Sequence, residues 1–486
     1  MALSDQQIRQ ITDEIIKELA GRVKVETGTG QATIARSGTQ TNSSVSPSGN
    51  WLCDSIDEAV INAARSQVEL NAITLEKRAD IINAMRMAAI ENAGALAELA
   101  HKETGYGRVS DKIKKNILAA RKTPGIEDLD TKAFTGDNGM TIVELTPFGV
   151  IGSITPSTNP TSTVINNSIS MIASGNAVVF NPHPSAKKAS QETIRLMNQA
   201  IVSAGGPGSL ITTVKEPSIE TGNALMNHPD IPLLSITGGE AVVKAAMKTG
   251  KKVIAAGPGN PPVIVDDTAN IKNAAMDIFK GASFDNNILC IAEKEVFAFS
   301  NIADQLMSEM VGLGCYQADK AAIDRIVNTV LIKKENGYVI NRKFVGKDPS
   351  VILQASGIEF SGEPRLILAE VSSDHPFVRV EMLMPVLPIV RVNDIKQAVE
   401  EAYIAEQQNK HSAMIHSTNV HNMSLAAKRL NTTIFVKNAS SLGGLGFGGE
   451  GFTSLTIATP TGEGITSART FTRQRRCVLH GDFRIF

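Results

Sequence analysis

The sequence predicts an α/β protein built on parallel sheets, and three observations carry that expectation. Between residues 150 and 256, short apolar runs alternate with segments of helical period, the pattern of βαβ units. The alternation resumes after Gly257: an apolar run at 263–265, a helix-period segment (Ile271, Ala274, Ala275, Ile278, Phe279) and a second run near Val296. The chain has 486 residues, more than one hydrophobic core supports, so two or three domains are expected.

Composition narrows the function. Lys and Arg number 48 against 49 Asp and Glu, so there is no electrostatic footprint for nucleic acid and no polybasic membrane patch. No apolar run reaches the roughly 18 residues a bilayer span needs, and the amino terminus lacks the basic and apolar regions of a secretory signal. Cys53, Cys290, Cys315 and Cys477 are scattered and form no CxxC pair, which fits a reducing cytoplasm rather than a disulfide scaffold. The eight histidines include no HExxH and no Cys/His cluster, so no metal site is expected.

Taken in order, residues 1–20 read as a separate helix. Ser4 and Gln7 make a capping box, and Ile8, Ile11, Ile15 and Leu19 share one face. Residues 21–50 are rich in Gly, Ser, Thr and Asn, a flexible linker. So short a helix is marginal alone in water. It has two possible partners, its own body or another protein, and the long tether favours the second. Residues 55–104 are helical, opened by Ser55 with Glu58 and ended by 105–107, and 139–146 is an extended strand. The βαβ series then places strands at 150–154, 177–180, 210–214, 232–237 and 252–256, with helices at 160–174, 186–204, 218–227 and 239–249 between them.

Ligands of parallel sheets bind at the carboxyl ends of the strands. Those ends are 156–159, 181–183, 237–239 and 256–257, polar and rich in Pro and Gly. Thr237-Gly238-Gly239 runs straight into a helix, whose first amides suit a phosphate. Any one such turn is ordinary chain reversal; four on one edge point to a nucleotide cleft. By contrast, 444–449 matches GxGxxG but is followed by TSLTIATPTG rather than a helix, so it is no dinucleotide fingerprint. The later unit, 257–440, includes a strand-rich stretch at 377–392 and strands at 411–416 and 434–437. The end of the chain alternates polar and apolar from Thr453 and turns basic from Arg469 to Arg484. It is expected to pair with 139–146 in an exposed sheet that meets a second subunit; a disordered tail is the alternative. Cys290 follows a polar turn, 283–287. By spacing alone it is either a covalent nucleophile placed where backbone approaches a ligand or a small buried hydrophobe.

SITPSTNP (153–160), SITGGEAVV (235–243), SFDNNILC (283–290) and EMLMP (381–385) together resemble the aldehyde dehydrogenase superfamily. Within it, the sequence is most similar to the CoA-acylating branch that serves propanediol and ethanolamine breakdown in bacterial microcompartments. The resemblance covers about residues 51–486, and residues 1–50 look like that branch's encapsulation tail. It implies a Rossmann-like NAD-binding domain (51–138 and 147–256), a catalytic domain (257–440) and a β oligomerisation flap (139–146 and 453–486). It makes Cys290 the nucleophile, and Asn159 with the Cys290 backbone N–H the oxyanion hole. Thr155, Pro156, Ser157, Asn181, Pro182, His183, Thr237, Gly238, Gly239 and Gly257 would bind NAD. Asn181 stands where hydrolytic relatives carry a Lys for the adenosine ribose, and Glu381 matches the glutamate that holds the nicotinamide ribose. The plainer readings are a turn-capping Asn159 and a surface carboxylate at Glu381.

One departure from the pattern is informative. Hydrolytic relatives carry a Glu 34 positions before the cysteine, where this chain has Ala256. That Glu arms the water that releases the acid, so no carboxylate is expected beside the thiol to do so here. Water has a pKa of about 15.7 and a thiol about 8.5. The difference of about 7 units makes a thiol easier to ionise by on the order of 10 kcal/mol. The resemblance therefore implies oxidation of a short-chain aldehyde, propionaldehyde or acetaldehyde, to acyl-CoA. NAD is the cofactor and coenzyme A the co-substrate. It also implies a cytoplasmic home inside a microcompartment, shell or cargo proteins as partners of residues 1–20, and a homo-oligomer, dimer or tetramer. The competing readings are a hydrolytic or phosphorylating aldehyde dehydrogenase, a glutamyl- or aspartyl-phosphate reductase, and a catalytically silent shell-associated scaffold.

Overall fold

The computed structural model describes residues 49–335 and 337–484; the helix expected over 1–20 and nearly all of the linker lie outside them. The described residues fall within one compact unit, Val45–Phe486. Two parallel sheets organise it. In the first, six strands lie in the order Leu52–Cys53, Ile211–Val214, Ala177–Pro182, Val150–Thr155, Leu233–Thr237, Lys252–Ala256, every neighbouring pair parallel. Helices cover both faces of such a sheet, so its strands need apolar residues on both sides; Ala177–Pro182 and Ile211–Val214 are buried throughout. The chain passes from Val150–Thr155 outward on one side, then returns to add Leu233–Thr237 on the other. The crevice between those two central strands is the topological switch point, the usual ligand position of an open parallel sheet.

The second sheet has seven parallel strands in the order Cys315–Ala318, Leu366–Glu370, Val386–Val392, Glu295–Phe299, Pro262–Val265, Ser412–His416, Ile434–Lys437. Each sheet has its own apolar core. The α/β class and the parallel pairing are therefore as expected.

Four details differ from the sequence reading. The helical stretch 55–104 is three helices, Ile56–Asn71, Leu75–Glu91 and Ala93–Thr104, and a fourth, Val109–Lys122, was not anticipated. At the first of them Ser55 accepts from Glu58 N–H as a cap should, but the Glu58 carboxylate reaches the Asp54 N–H. Only the second half of 377–392 is strand; Pro376–Arg379 is a turn of helix, as proline at a first helical position allows. Finally, the three-stranded antiparallel sheet is Lys132–Gly136, Gly139–Pro147 and Thr472–His480. Its first hairpin strand was not foreseen. Residues 453–458 lie against the body instead, with Thr453, Ser454 and Thr456 fully buried. No described helix is long and apolar enough to cross a membrane.

Candidate active site

The site begins in the turn before Cys290. Helix Ile271–Ser283 ends, and Asp285, Asn286 and Asn287 follow at φ 48°, 54° and 63°. Three successive left-handed residues without a glycine cost about 1–3 kcal/mol each unless surrounding contacts over-determine them. Asn and Asp are the side chains that best tolerate the conformation, which is why the motif reads DNN. Each is pinned. Asp285 accepts from the Arg108 backbone N–H at 2.7 Å and Lys112 Nζ at 3.2 Å, with Lys115 Nζ against the same carboxylate. Asn286 accepts from Arg108 Nε and donates to Gly346 O and Asp348 Oδ1. Asn287 donates to Ala282 O and Glu293 O and accepts from Lys294 Nζ at 2.6 Å. All three are buried.

Cys290 emerges from this turn partly exposed. It packs at the edge of an apolar cluster that includes Phe284, Leu289, Leu442 and Leu445. Beside it a narrow cavity of about 10 Å³ is lined by Leu118, Phe284, Leu289, Leu442, Leu445, Phe447, Leu455 and Lys115. That is about the room one water molecule needs. Desolvation pushes the Cys290 thiol up to about 12, and the charge of Glu381 adds to this; Lys294 and Lys115 act the other way.

Asn159 is the residue before helix Pro160–Ala173, where an Asn normally caps the first turn. Here the side chain makes no cap hydrogen bond. Its Oδ1 accepts from Lys115 Nζ at 2.6 Å and its Nδ2 donates to Thr158 Oγ1 at 3.3 Å. The turn-capping alternative is therefore not what the side chain does. The helix it opens is buried at every position.

Glu381 accepts from the Gly259 N–H, and burial raises its carboxyl to about 7 against the opposing charge of Lys294. It keeps some exposure. The expectation of a thiol without a carboxylate neighbour is thus corrected: Ala256 supplies none, but the charge of Glu381 is felt at Cys290. The plain surface carboxylate is excluded by the same facts.

At the edge of the first sheet, Thr155 is buried and its Oγ1 has no hydrogen-bond partner; Pro156 and Ser157 are half-buried beside it. Thr237 Oγ1 pairs with Thr456 Oγ1 at 2.8 Å. Gly238 and Gly239 lead into helix Glu240–Met247, whose first turn has no side-chain cap. A Cβ on Gly238 would lie 2.8 Å from Val242 Cγ1, while one on Gly239 would meet nothing within 4 Å. The free first turn and the open space over Gly239 suit a pyrophosphate, so the cleft fits NAD. Gly257 packs under Pro460, 2.9 Å from where its Cβ would be. Asn181 and Pro182 end their strand buried. Both ends of the Asn181 amide are engaged, donating to Ser218 O and accepting from Thr221 Oγ1. His183 is exposed and its Nδ1 faces Ser185. Those three residues stand on the same edge, one strand further out than Thr155.

Sequence reasoning missed three cations and an imidazole. Lys112 and Lys115 sit on the unforeseen helix, whose buried face is Asp111, Lys112, Lys115, Asn116, Ala119 and Ala120. That helical spacing is legible in the sequence, but a charged face reads as solvated. Lys294 is fully buried and donates to Asn287 O and Leu289 O as well as Asn287 Oδ1. His411 is buried, with Nδ1 beside Ser412 Oγ and Nε2 without a hydrogen-bond partner. Desolvation first, then the Lys294 charge, lowers it to about 4. It is therefore a neutral imidazole with a free nitrogen. Gly259 threads between its ring and the Cys290 carbonyl: a Cβ there would lie 2.8 Å from His411 Cγ and 2.9 Å from Cys290 O. No sequence signal links residue 411 to 290. No group of three or more metal-ligating side chains occurs among the described residues.

A parallel sheet with a switch-point crevice, and a partly exposed cysteine whose turn shares Lys115 with the Asn159 amide, fit a class of oxidoreductase that works through a thiol. Comparison with known proteins places the chain within it. A family model described as the aldehyde dehydrogenase family matches residues 32–314. An acetaldehyde dehydrogenase (acetylating) from Bilophila wadsworthia is 47% identical, over 100% of both chains. A propionaldehyde dehydrogenase from a Clostridium phytofermentans fucose-utilisation microcompartment is 47% identical with a TM-score of 0.87, over 90% of this chain and 99% of that one. A Rhodopseudomonas palustris propionaldehyde dehydrogenase, solved with bound CoA and an acylated cysteine, is 46% identical with a TM-score of 0.87 over 90% and 99%. The chain belongs to the aldehyde dehydrogenase family.

Proposed function

We propose that the chain oxidises a short-chain aldehyde, acetaldehyde or propionaldehyde, to its acyl-CoA with reduction of NAD, through a thioester on Cys290. The observation that carries this reading is the cation shared by the two parts of the site: Lys115 Nζ donates to the buried Asn159 amide, which is withheld from its capping role, and lies against Asp285 in the turn that leads to the partly exposed Cys290. The acylating activities and the acylated cysteine of the relatives support it.

The Cys290 sulfur attacks the aldehyde carbon after giving up its proton; the free Nε2 of the neutral His411, packed across Gly259 from the Cys290 carbonyl, is the base proposed to receive it. The carbonyl oxygen takes up negative charge and is met by Asn159 Nδ2 and the Cys290 N–H, an interaction worth about 10²–10³ in rate. NAD, when bound, supplies the acceptor for the hydride lost from that carbon; Thr155, Thr237, Gly238, Gly239 and Gly257 would hold it, with Glu381 on the ribose beside the nicotinamide. The carbon is left as a thioester. The CoA thiol then adds to the thioester carbonyl, the same two donors meet the oxyanion again, and the Cys290 sulfur leaves as acyl-CoA forms.

The half-buried Glu381, with its carboxyl near 7, favours a second reading in which it arms a water and free acid is released. One set of assays decides: NADH and free acid from each aldehyde, with and without CoA, for the wild type, Cys290→Ala and Glu381→Gln. CoA-dependent NADH formation, lost with Cys290→Ala, is expected. Full-speed acid release without CoA that disappears in Glu381→Gln would establish the hydrolytic reading instead.

The microcompartment origin of one relative supports encapsulation, with the apolar face of residues 1–20 docking on shell or cargo proteins. Removing residues 1–20 should leave kinetics intact and abolish co-purification with shells; unchanged encapsulation would refute the docking.

A further inference from the structure

We infer that Lys115 is a positioning residue that sets which end of the Asn159 amide faces the reacting carbonyl. This rests on the proposed function and adds a part to its machinery.

An Asn amide presents an oxygen on one side and an NH₂ group on the other, and only the NH₂ stabilises an oxyanion. Reversed, the same side chain would set oxygen against oxygen. Something must fix the choice, and the ordinary device, the helix cap, is not in use here. Lys115 fixes it. Its ammonium carries three donors and no acceptor, and it meets the Asn159 amide at 2.6 Å. Only the oxygen can occupy that side, so Nδ2 is turned the other way.

The same ammonium lies against the carboxylate of Asp285. Asp285 is the first of the left-handed residues leading to Cys290, and Lys112 and the Arg108 N–H hold it as well. One cation therefore touches both supports of the oxyanion site, the side chain of Asn159 and the turn that presents the Cys290 N–H. The neighbouring Asn116 makes a second tie across the same gap, accepting from Thr161 Oγ1 at 2.7 Å.

Burying this charge is costly, which argues against a decorative role. Lys112 and Lys115 have side chains only 3% and 5% exposed. Replacing such pairs by apolar residues is often neutral or stabilising, so stability alone does not call for both. A purely structural Lys115 would serve Asp285 only, a task Lys112 already shares.

The test is a double-mutant cycle on the full-length enzyme with Lys115→Met, Asn159→Ala and the pair, following CoA-dependent NADH formation. Lys115→Met is expected to lower kcat about 10²-fold and to leave KM for NAD within about threefold. The double variant should be no slower than Asn159→Ala, because the effect of Lys115 passes through that amide. Lys115→Arg, which keeps donors only, should recover at least a tenth of the wild-type kcat. Should the Met variant fail to fold, Lys115→Arg takes its place in the cycle, again with no further loss on top of Asn159→Ala. A multiplicative loss in the double variant, or a Lys115→Met kcat within threefold of wild type while Asn159→Ala is crippled, would overturn the inference and leave the proposed function standing. An unimpaired Asn159→Ala would bring down the oxyanion assignment and this inference with it.

Discussion

Glu293 is the clearest case of a single residue whose environment sets its chemistry. Its carboxylate accepts from the Ser441 N–H at 2.8 Å and from Ser441 Oγ at 2.7 Å, and it is fully buried. Desolvation outweighs those hydrogen bonds and raises it to about 7 from 4.5. The folded protein therefore holds a proton that the unfolded chain has released between about pH 4.5 and 7. The stabilisation is complete below pH 4.5 and is lost as pH rises through 7, on the order of 1–3 kcal/mol. Glu293→Gln should flatten the fall in Tm between pH 5 and 8, measured by thermal melts; an unchanged slope would place the titration elsewhere. Nothing in the sequence announces this residue, because a Glu two positions before a strand reads as surface. Cys290 and Asn159 were singled out through the resemblance carried by SFDNNILC and SITPSTNP, since spacing alone left Cys290 open between a nucleophile and a buried hydrophobe, and an Asn before a helix reads as a cap. The buried lysines and His411 were not, since burial of a polar side chain depends on what folds over it.

At the scale of elements, the turn 285–287 and the loop containing Gly107 are mutually dependent. Gly107 has φ +67°, and a Cβ there would fall 1.9 Å from Asp285 Oδ1. Gly107→Ala must displace the carboxylate that Lys112, Lys115 and the Arg108 N–H share. A destabilisation of at least about 2 kcal/mol by denaturant titration is expected, with a loss of kcat larger than the loss of stability explains. Wild-type behaviour would mean the turn tolerates movement of Asp285. Five of the six strands of the first sheet, and the helices between them, were readable to within one or two residues because apolar runs on both faces leave little alternative; the two-residue edge strand Leu52–Cys53 was not foreseen. Helix Val109–Lys122 was not, because its inward face carries Asp, Lys and Asn where hydrophobic periodicity looks for Leu and Ile.

For the whole molecule, the antiparallel sheet is the part least accounted for by one chain. Strand Thr472–His480 lies at its edge and is exposed along almost its whole length, with Val478 61% and Leu479 44% accessible. Phe134 on the far strand is also exposed. A long open edge with apolar side chains invites another chain, which supports the proposed homo-oligomer. Leu479→Glu with Val478→Lys should shift the assembly toward monomer in sedimentation velocity while leaving the parallel-sheet body folded; an unchanged sedimentation coefficient would assign the contact to another face.

The turn that presents Cys290 is secured from residue 108, across 177 positions of sequence, and from residue 348, across 62. No short fragment of the chain contains both anchors. A nascent polypeptide that has just completed its cysteine cannot yet hold that sulfur in the working posture, since Asp348 is still to be synthesised. The working posture of that sulfur is thus a property of the finished architecture rather than of the segment that carries the nucleophile.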